Sequence, residues 1–251
     1  MTLYLIGLGL NDEKDITVKG LEAIKKCKYI YLENYTSILQ TTKAKLEKLY
    51  QKKIILADRE MVETKPDIIK NAQKDNTALL IIGDPMSATT HVDLLLRAKE
   101  KNIKTEVINN ASILTAVGIT GLQLYKFGKT TSIPFAENYW TIETPYNVLK
   151  QNLKSKLHTL FLLDLNPSEE KFMTVNNAID ILLKIESKQK QKIINKKTKV
   201  IGCARLGSKS PTIIYGEAEK LMGKDFGKPP HCLIIPGELH FMEEDVLKQY
   251  S

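Results

Sequence analysis

The sequence predicts an α/β protein of two α/β domains, the first on a largely parallel sheet and the second on a mixed sheet. Three observations predict it. A chain of 251 residues is longer than one small core needs. Short β-rich runs alternate with helical patterns through the first half, which is the pattern of strands joined by crossover helices. Around residues 127–146 the texture changes to Gly, Pro, Thr and aromatic side chains, with the only Trp, Trp140, among them. The boundary is placed there, giving domains 1–128 and 129–251.

Leu3-Tyr4-Leu5-Ile6 reads as the first strand, and Val18, Leu21 and Ile24 at helical spacing predict a helix over 17–26. A strand over 29–32 follows, then a helix near 41–50, a strand over 54–56 and a helix around 66–73. Residues 78–82 are almost wholly apolar, as expected of a central strand covered on both faces. Helix over 92–101, strand over 105–108 and helix over 112–125 complete the first domain, with Ser112 as the N-cap. In the second, strands are predicted over 159–163, 199–203, 212–215 and 232–235, and helices over 171–187, 217–222 and 238–250.

Composition narrows the function. Hydrophobic residues make up 43% and charged residues 26%, enough apolar side chain for a packed core. The net charge of +8 is carried by lysine, because Arg59, Arg97 and Arg205 are the only arginines. Clustered guanidinium forks for reading bases or phosphates are therefore missing. Seven Lys and one Glu occur over residues 184–199, which reads as a solvated helix end and loop. Cys27, Cys203 and Cys232 show no C-x-x-C spacing, which argues against a zinc site or a disulfide framework. With no signal-like opening and no long apolar run, a cytoplasmic protein is expected.

Three strand-end motifs carry chemistry. Gly7-Leu8-Gly9-Leu10-Asn11-Asp12 follows the first strand, where glycines let backbone approach a ligand. A dinucleotide fingerprint would want a third Gly where Asp12 stands, so a Rossmann dehydrogenase fits poorly. Gly83-Asp84-Pro85-Met86-Ser87 follows the central strand, and Pro85 restricts Asp84 to extended geometry at the sheet's carboxyl edge, where open α/β sheets bind ligands. Asn109-Asn110-Ala111-Ser112 opens a helix at a third strand end.

These motifs, with Asp15-Ile16-Thr17-Val18-Lys19-Gly20-Leu21, Glu33-Asn34-Tyr35-Thr36-Ser37, Ala88-Thr89-Thr90-His91, Tyr125-Lys126-Phe127-Gly128, His158-Thr159-Leu160, Ala204-Arg205, Asp225-Phe226-Gly227 and Pro229-Pro230-His231, resemble the tetrapyrrole-methylase superfamily of S-adenosylmethionine-dependent methyltransferases, and within it the diphthamide-biosynthesis branch. The resemblance extends over nearly the whole chain. It implies S-adenosyl-L-methionine as methyl donor in the interdomain cleft, no metal, and a homodimer. Carried over residue by residue, it implies a donor pocket lined by Leu10, Asp84, Ser87, Ser112, Ile113, Leu163, Ala204 and His231. The implied acceptor is the amino nitrogen of a modified histidine on translation elongation factor 2, methylated repeatedly to a trimethylammonium. An α-amino-like group titrates near ~7.7–8.0, so a strong protein base is unnecessary. No catalytic residue is singled out among His91, His158, His231 and His240; only His231 is tied to the donor by the resemblance. The alternatives are an rRNA methyltransferase on the same fold, drawing on the positive charge, and a non-enzymatic RNA-binding protein. The second lacks aromatics interleaved with its lysines for base stacking.

Overall fold

The computed structural model describes residues 1–136 and 142–251, so Trp140 lies outside the described residues. The chain divides into two compact units: Met1–Ala116 with the tripeptide Gly207–Lys209, and Val117–Leu206 with Ser210–Ser251. The boundary expected after Gly128 falls inside the second unit.

In the first unit the elements run β1 (Thr2–Gly7), α1 (Val18–Lys26), β2 (Tyr29–Glu33), α2 (Lys43–Tyr50), β3 (Ile55–Ala57), α3 (Arg59–Glu63), α4 (Asp67–Lys74), β4 (Thr77–Ile81), α5 (Val92–Glu100), β5 (Lys104–Ile108) and α6 (Ile113–Ala116). The five strands form one sheet in the order β3-β2-β4-β1-β5, and every pairing is parallel. All five residues of β4 are buried, as its apolar run requires of a strand with helices on both faces. Along β1 the side chains alternate between two cores. Tyr4 and Ile6 pack with Ile24, Ile30 and Leu46, whereas Leu3 and Leu5 pack with Ile68, Ile81 and Leu94. Thr17 caps α1 by accepting a hydrogen bond from the Gly20 N–H. The α3 helix was not expected from the sequence; Asp58 starts it by accepting from the Met61 N–H.

The helix expected over 112–125 is a correction. Only α6 is α-helical; a 3₁₀ turn over Val117–Thr120 follows, and Gly121, at φ +87°, ends it before a second short turn at Leu124–Lys126. An added Cβ at Gly121 would also lie 2.3 Å from Val246, so a continuous helix carrying a side chain here is sterically closed.

The second unit contains β6 (Thr131–Ile133), α7 (Thr144–Lys154), β7 (Thr159–Leu163), β8 (Leu165–Asn166), β9 (Lys171–Phe172), α8 (Val175–Gln189), β10 (Lys199–Ala204), β11 (Thr212–Glu217), α9 (Ala218–Leu221), β12 (His231–Ile235) and α10 (Phe241–Leu247). Its sheet runs β11-β10-β12-β7-β6, antiparallel except for the β6–β7 pair, so it is mixed as expected. Three details differ from expectation. Lys171 and Phe172 pair with β8 in a small hairpin, so α8 starts later, at a capping box between Thr174 and Asn177. The α7 helix and β6 were not anticipated. The C-terminal helix begins at Phe241 rather than Glu238, because His240 and Glu243 form its capping box. Among the described residues no helix is long and apolar enough to cross a membrane.

Candidate functional site

At the carboxyl edge of the first sheet, the turns after β1, β4 and β5 form one bonded assembly. Gly9 and Gly83, both at positive φ, bridge the first two turns: the Gly83 N–H donates to the Gly9 carbonyl at 2.8 Å and the Gly9 N–H to the Gly83 carbonyl at 3.2 Å. A Cβ on Gly7 would stand 2.6 Å from the Gly83 carbonyl oxygen, so the close approach requires glycine there.

The Asp84 carboxylate ties the second turn to the third. Its Oδ1 accepts from the Met86 N–H (2.8 Å) and the Ser87 hydroxyl (3.2 Å), and its Oδ2 from the Asn109 side-chain amide and the Asn110 N–H (both 3.0 Å). Burial alone raises the Asp84 carboxyl, but the hydrogen bonds outweigh it and hold the group below its ordinary value. Asp84 is therefore a filled latch at neutral pH.

Two residues that sequence reasoning did not single out complete the assembly. Asp15 Oδ2 accepts from the Leu10 and Asn11 N–H groups at 3.3 and 2.8 Å, which fixes the glycine turn. The Asn110 side-chain amide donates to the carbonyls of Gly7 (2.9 Å) and Asp15 (3.0 Å), so Asn110 joins the first turn to the third while its own N–H holds Asp84. The only signal in the sequence was the Asn-Asn pair before Ser112.

Within this frame the sequence-predicted residues Leu10, Asp84 and Ser87 come together, and Ser112 caps α6 by accepting from the Leu114 N–H at 3.2 Å. Ile113 begins that helix and is half-buried. Gly83 is buried at φ +84°, and a Cβ there would sit in ordinary contact with Leu10 Cδ2 at 3.7 Å and the Ala111 carbonyl at 3.8 Å, so it is the backbone angle that favours glycine here. The tripeptide Gly207–Lys209 covers the other side of Leu10. A Cβ on Gly207 would lie 2.7 Å from Leu10 Cβ, and the Lys209 N–H donates to Asn11 Oδ1 at 3.3 Å.

In the second unit the structure also brings its three candidates together. Ala204, the last residue of β10, is directly opposite His231, the first of β12. The register that pairs Cys232 with Leu162 sets Leu163 beside the same strand end. His231 Nε2 lies 2.9 Å from the Gly227 carbonyl, which assigns the ring proton to Nε2. Its Nδ1 is then a buried acceptor without a hydrogen-bond partner among the described residues. Burial lowers the His231 pKa despite the opposing carbonyls of Gly227 and Lys228, so the ring is neutral and Nδ1 keeps its lone pair. Arg205 secures both flanking loops: its guanidinium donates to the Phe226, Lys228 and Ser210 carbonyls and the Thr212 hydroxyl, and its N–H to the Pro230 carbonyl.

The other histidines have structural partners. His158 Nδ1 accepts from the Gly237 N–H and its Nε2 donates to Glu243 at 3.0 Å; His240 caps α10. His91 Nε2 faces Glu33 Oε2 at 2.9 Å, both side chains wholly enclosed, although the contact lies off the ring N–H direction.

The comparisons with known proteins agree across the chain. Residues 2–221 match the family described as Tetrapyrrole (Corrin/Porphyrin) Methylases. A relative from Methanocaldococcus jannaschii named diphthine synthase is 52% identical over 98% of this chain and 97% of its own length. One from Arabidopsis thaliana, named "Probable diphthine methyl ester synthase", is 47% identical over 99% and 98%. A solved crystal structure described as diphthine synthase superposes with a TM-score of 0.91 at 37% identity, covering 100% of this chain and 96% of the other. These relatives favour neither the rRNA-methylating nor the RNA-binding alternative.

Proposed function

The chain belongs to the tetrapyrrole methylase family and is an S-adenosylmethionine-dependent methyltransferase, and from that premise we propose that it acts as a diphthine synthase, methylating the modified histidine of translation elongation factor 2. The observation that carries the proposal is the near-complete correspondence with proteins of that name, at 52% identity for the archaeal relative.

Two local features fit the donor. The three turns joined through Gly9, Gly83 and Asp84 stand at the carboxyl edge of a parallel sheet, where open α/β folds bind ligands. His231 Nδ1, buried and neutral, suits a hydrogen-bond donor such as an exocyclic amine or a ribose hydroxyl. Leu10, Ser87, Ser112 and Ile113 in the first unit, and Leu163 and Ala204 in the second, are the remaining donor-binding candidates. Asp84 contributes by holding the turns in register, since four donors already occupy its carboxylate. When bound, the donor supplies a methyl group on a positively charged sulfur.

The work left to the chain is alignment, which is worth up to about 7–11 kcal/mol when the reacting atoms are well placed. No side chain need act as a strong base, because an amine of the α-amino type is partly neutral at pH 7. A carboxyl oxygen is a second acceptor atom, drawn from the methyl ester in the Arabidopsis relative's name. We further propose a homodimer in the reducing cytoplasm, where three free buried cysteines are stable.

The test is incubation with labelled S-adenosylmethionine and either elongation factor 2 carrying the histidine intermediate or rRNA. Label on the elongation factor, counted by mass, supports the proposal. Label on rRNA alone overturns it. Label released by mild alkali marks an ester, and stable label marks N-methylation.

A further inference from the structure

The carboxyl edge of the first sheet has a second half that the donor assembly leaves unused. The strand order β3-β2-β4-β1-β5 sets the donor turns over β4, β1 and β5, and sets Tyr35 and Arg59, which follow β2 and β3, over the other side. Here a cavity of about 380 Å³ opens between α3 and the start of α5, lined by Arg59, Glu63, Thr90, His91 and Asp93 over a floor of buried aliphatic side chains.

The walls are built. Arg97 of α5 donates to the Val62 and Glu63 carbonyls at 2.8 and 3.0 Å and so clamps the end of α3. His91 lines the inner side beside Glu33, and its Nδ1 lies 3.2 Å from the Pro85 carbonyl, inside the turn that carries Asp84. The cavity is thus one side chain away from the donor assembly.

Of the three arginines, Arg97 spends its guanidinium on backbone carbonyls and an ion pair with Asp93 at 3.4 Å, and Arg205 spends its own on backbone carbonyls and the Thr212 hydroxyl. Arg59 instead holds its guanidinium carbon over the Tyr35 ring, 5.2 Å from the ring centre, and has no ion pair with a carboxylate among the described residues. That contact is made to the ring face and leaves the N–H fork able to receive a carboxylate in two-point fashion. Glu63 on the same rim carries the opposite charge, beside the Asp93–Arg97 ion pair. A rim of mixed sign disfavours a purely anionic ligand such as a nucleic-acid phosphate, and suits a group bearing both a carboxylate and an amine.

We propose that this cavity receives the amino-acid-like end of the acceptor side chain, with Arg59 holding its carboxylate while its amine is turned toward the donor assembly. The inference rests on the diphthine synthase reading. That the acceptor carries a carboxyl follows from the methyl ester named for the Arabidopsis relative, since an ester forms from a carboxylate.

The experiment compares wild type, Arg59→Ala and Arg59→Lys by S-adenosylmethionine calorimetry and by methyl transfer to elongation factor 2 bearing the histidine intermediate. Arg59 is exposed, so both variants should fold and melt like wild type. The expected result is a KM for elongation factor 2 raised at least tenfold in Arg59→Ala, kcat changed by less than threefold and donor affinity by less than twofold. Arg59→Lys, with charge but no fork, should lie between. An unchanged KM overturns the proposal. A donor affinity that falls tenfold also overturns it, because the methionine end of the donor would then occupy the cavity. Wild type that binds donor but methylates no elongation factor removes the acceptor reading and this inference together, and is told apart because it appears before any substitution is made.

Discussion

Asp84 in the first unit and Glu243 in the second are both buried carboxylates with four hydrogen-bond donors, yet they do different work. The donors to Asp84 are all neutral and come from the turns at the sheet's carboxyl edge. Those to Glu243 are the Gln123 and His240 N–H groups, His158 Nε2 and the charged Lys126 ammonium, which together bind α10 to the segment around Gln123 and to the start of β7. A filled carboxylate is therefore no mark of a binding site in itself. What sets the proposed donor region apart is that its latch joins three turns at the carboxyl edge of a parallel sheet, for which the Glu243 network has no counterpart in what it ties together. His158 is locked at both ring nitrogens, whereas His231 retains a free acceptor.

The comparison breaks most sharply at Glu243. Replacing it by Gln leaves the Lys126 ammonium with the Glu238 carbonyl but no opposing charge, and urea denaturation at pH 7 should show a loss of about 3–5 kcal/mol, the usual cost of breaking a buried pair. Its carboxyl is held down to about 2 from an ordinary value of 4.5: burial raises it, and the Gln123 and His240 N–H groups, Lys126 and His158 lower it further than burial raises it. A depressed folded-state pKa means that the unfolded chain takes up the proton first. Glu243 therefore stabilises the fold above pH 4.5, and that stability drains away as pH falls from there toward 2. Stability of Glu243→Gln should be flatter than wild type across this window; equal slopes would show the network to be energetically silent.

Asp84→Ala is the next largest. It orphans loop donors that are neutral, so the stability loss should be about 1–3 kcal/mol. Donor affinity should fall at least tenfold with it, because the three turns that Asp84 joins lose their register. Melting temperature and calorimetry on the same sample check the pair of effects; a stability loss with unaltered affinity in the folded protein would make Asp84 a local cap only.

His231→Phe sharpens the comparison on the binding side. It keeps a ring beside Phe226 but removes both Nδ1 and the Nε2 bond to the Gly227 carbonyl, so donor affinity and stability should each fall by about 1 kcal/mol, the worth of one hydrogen bond. Affinity equal to wild type would show that the free acceptor faces no donor. The smallest effect is expected from Lys190, Lys192, Lys196 and Lys197 all changed to Gln. The loop is held from within, since Glu186 accepts from the N–H groups of Lys192, Ile193 and Ile194, leaving the lysines to solvent. The specificity rate should change less than threefold; a tenfold fall at low salt that vanishes at high salt would reveal a docking surface.

The sequence made most strands, most helices and the three strand-end motifs visible because each depends on nearby residues: apolar period, a capping hydroxyl, a glycine after a strand. Asn110 and Asp15 were hidden because their roles lie in contacts to turns that meet only after folding; the Asn110 amide reaches Gly7 from the far end of the unit. The helix expected over 112–125 failed for a different reason. The apolar spacing there persists across Gly118 and Gly121, and the close packing of Val246 on Gly121 is a tertiary fact. Arg59 was read only as one of few arginines, and its place at the sheet edge follows from β3 lying outermost.

The tripeptide Gly207–Lys209 has a consequence for how the molecule is made. It belongs with the first unit and covers Leu10, yet it leaves the ribosome only after most of the second unit has been synthesised. Domains generally fold in the order of synthesis, with the amino-terminal one first. Here the nascent amino-terminal sheet must wait with its glycine turn uncapped, and closing so long a loop carries an entropic cost. A cell therefore makes this turn in two instalments, and a message truncated before codon 207 yields a sheet whose first turn has never been closed.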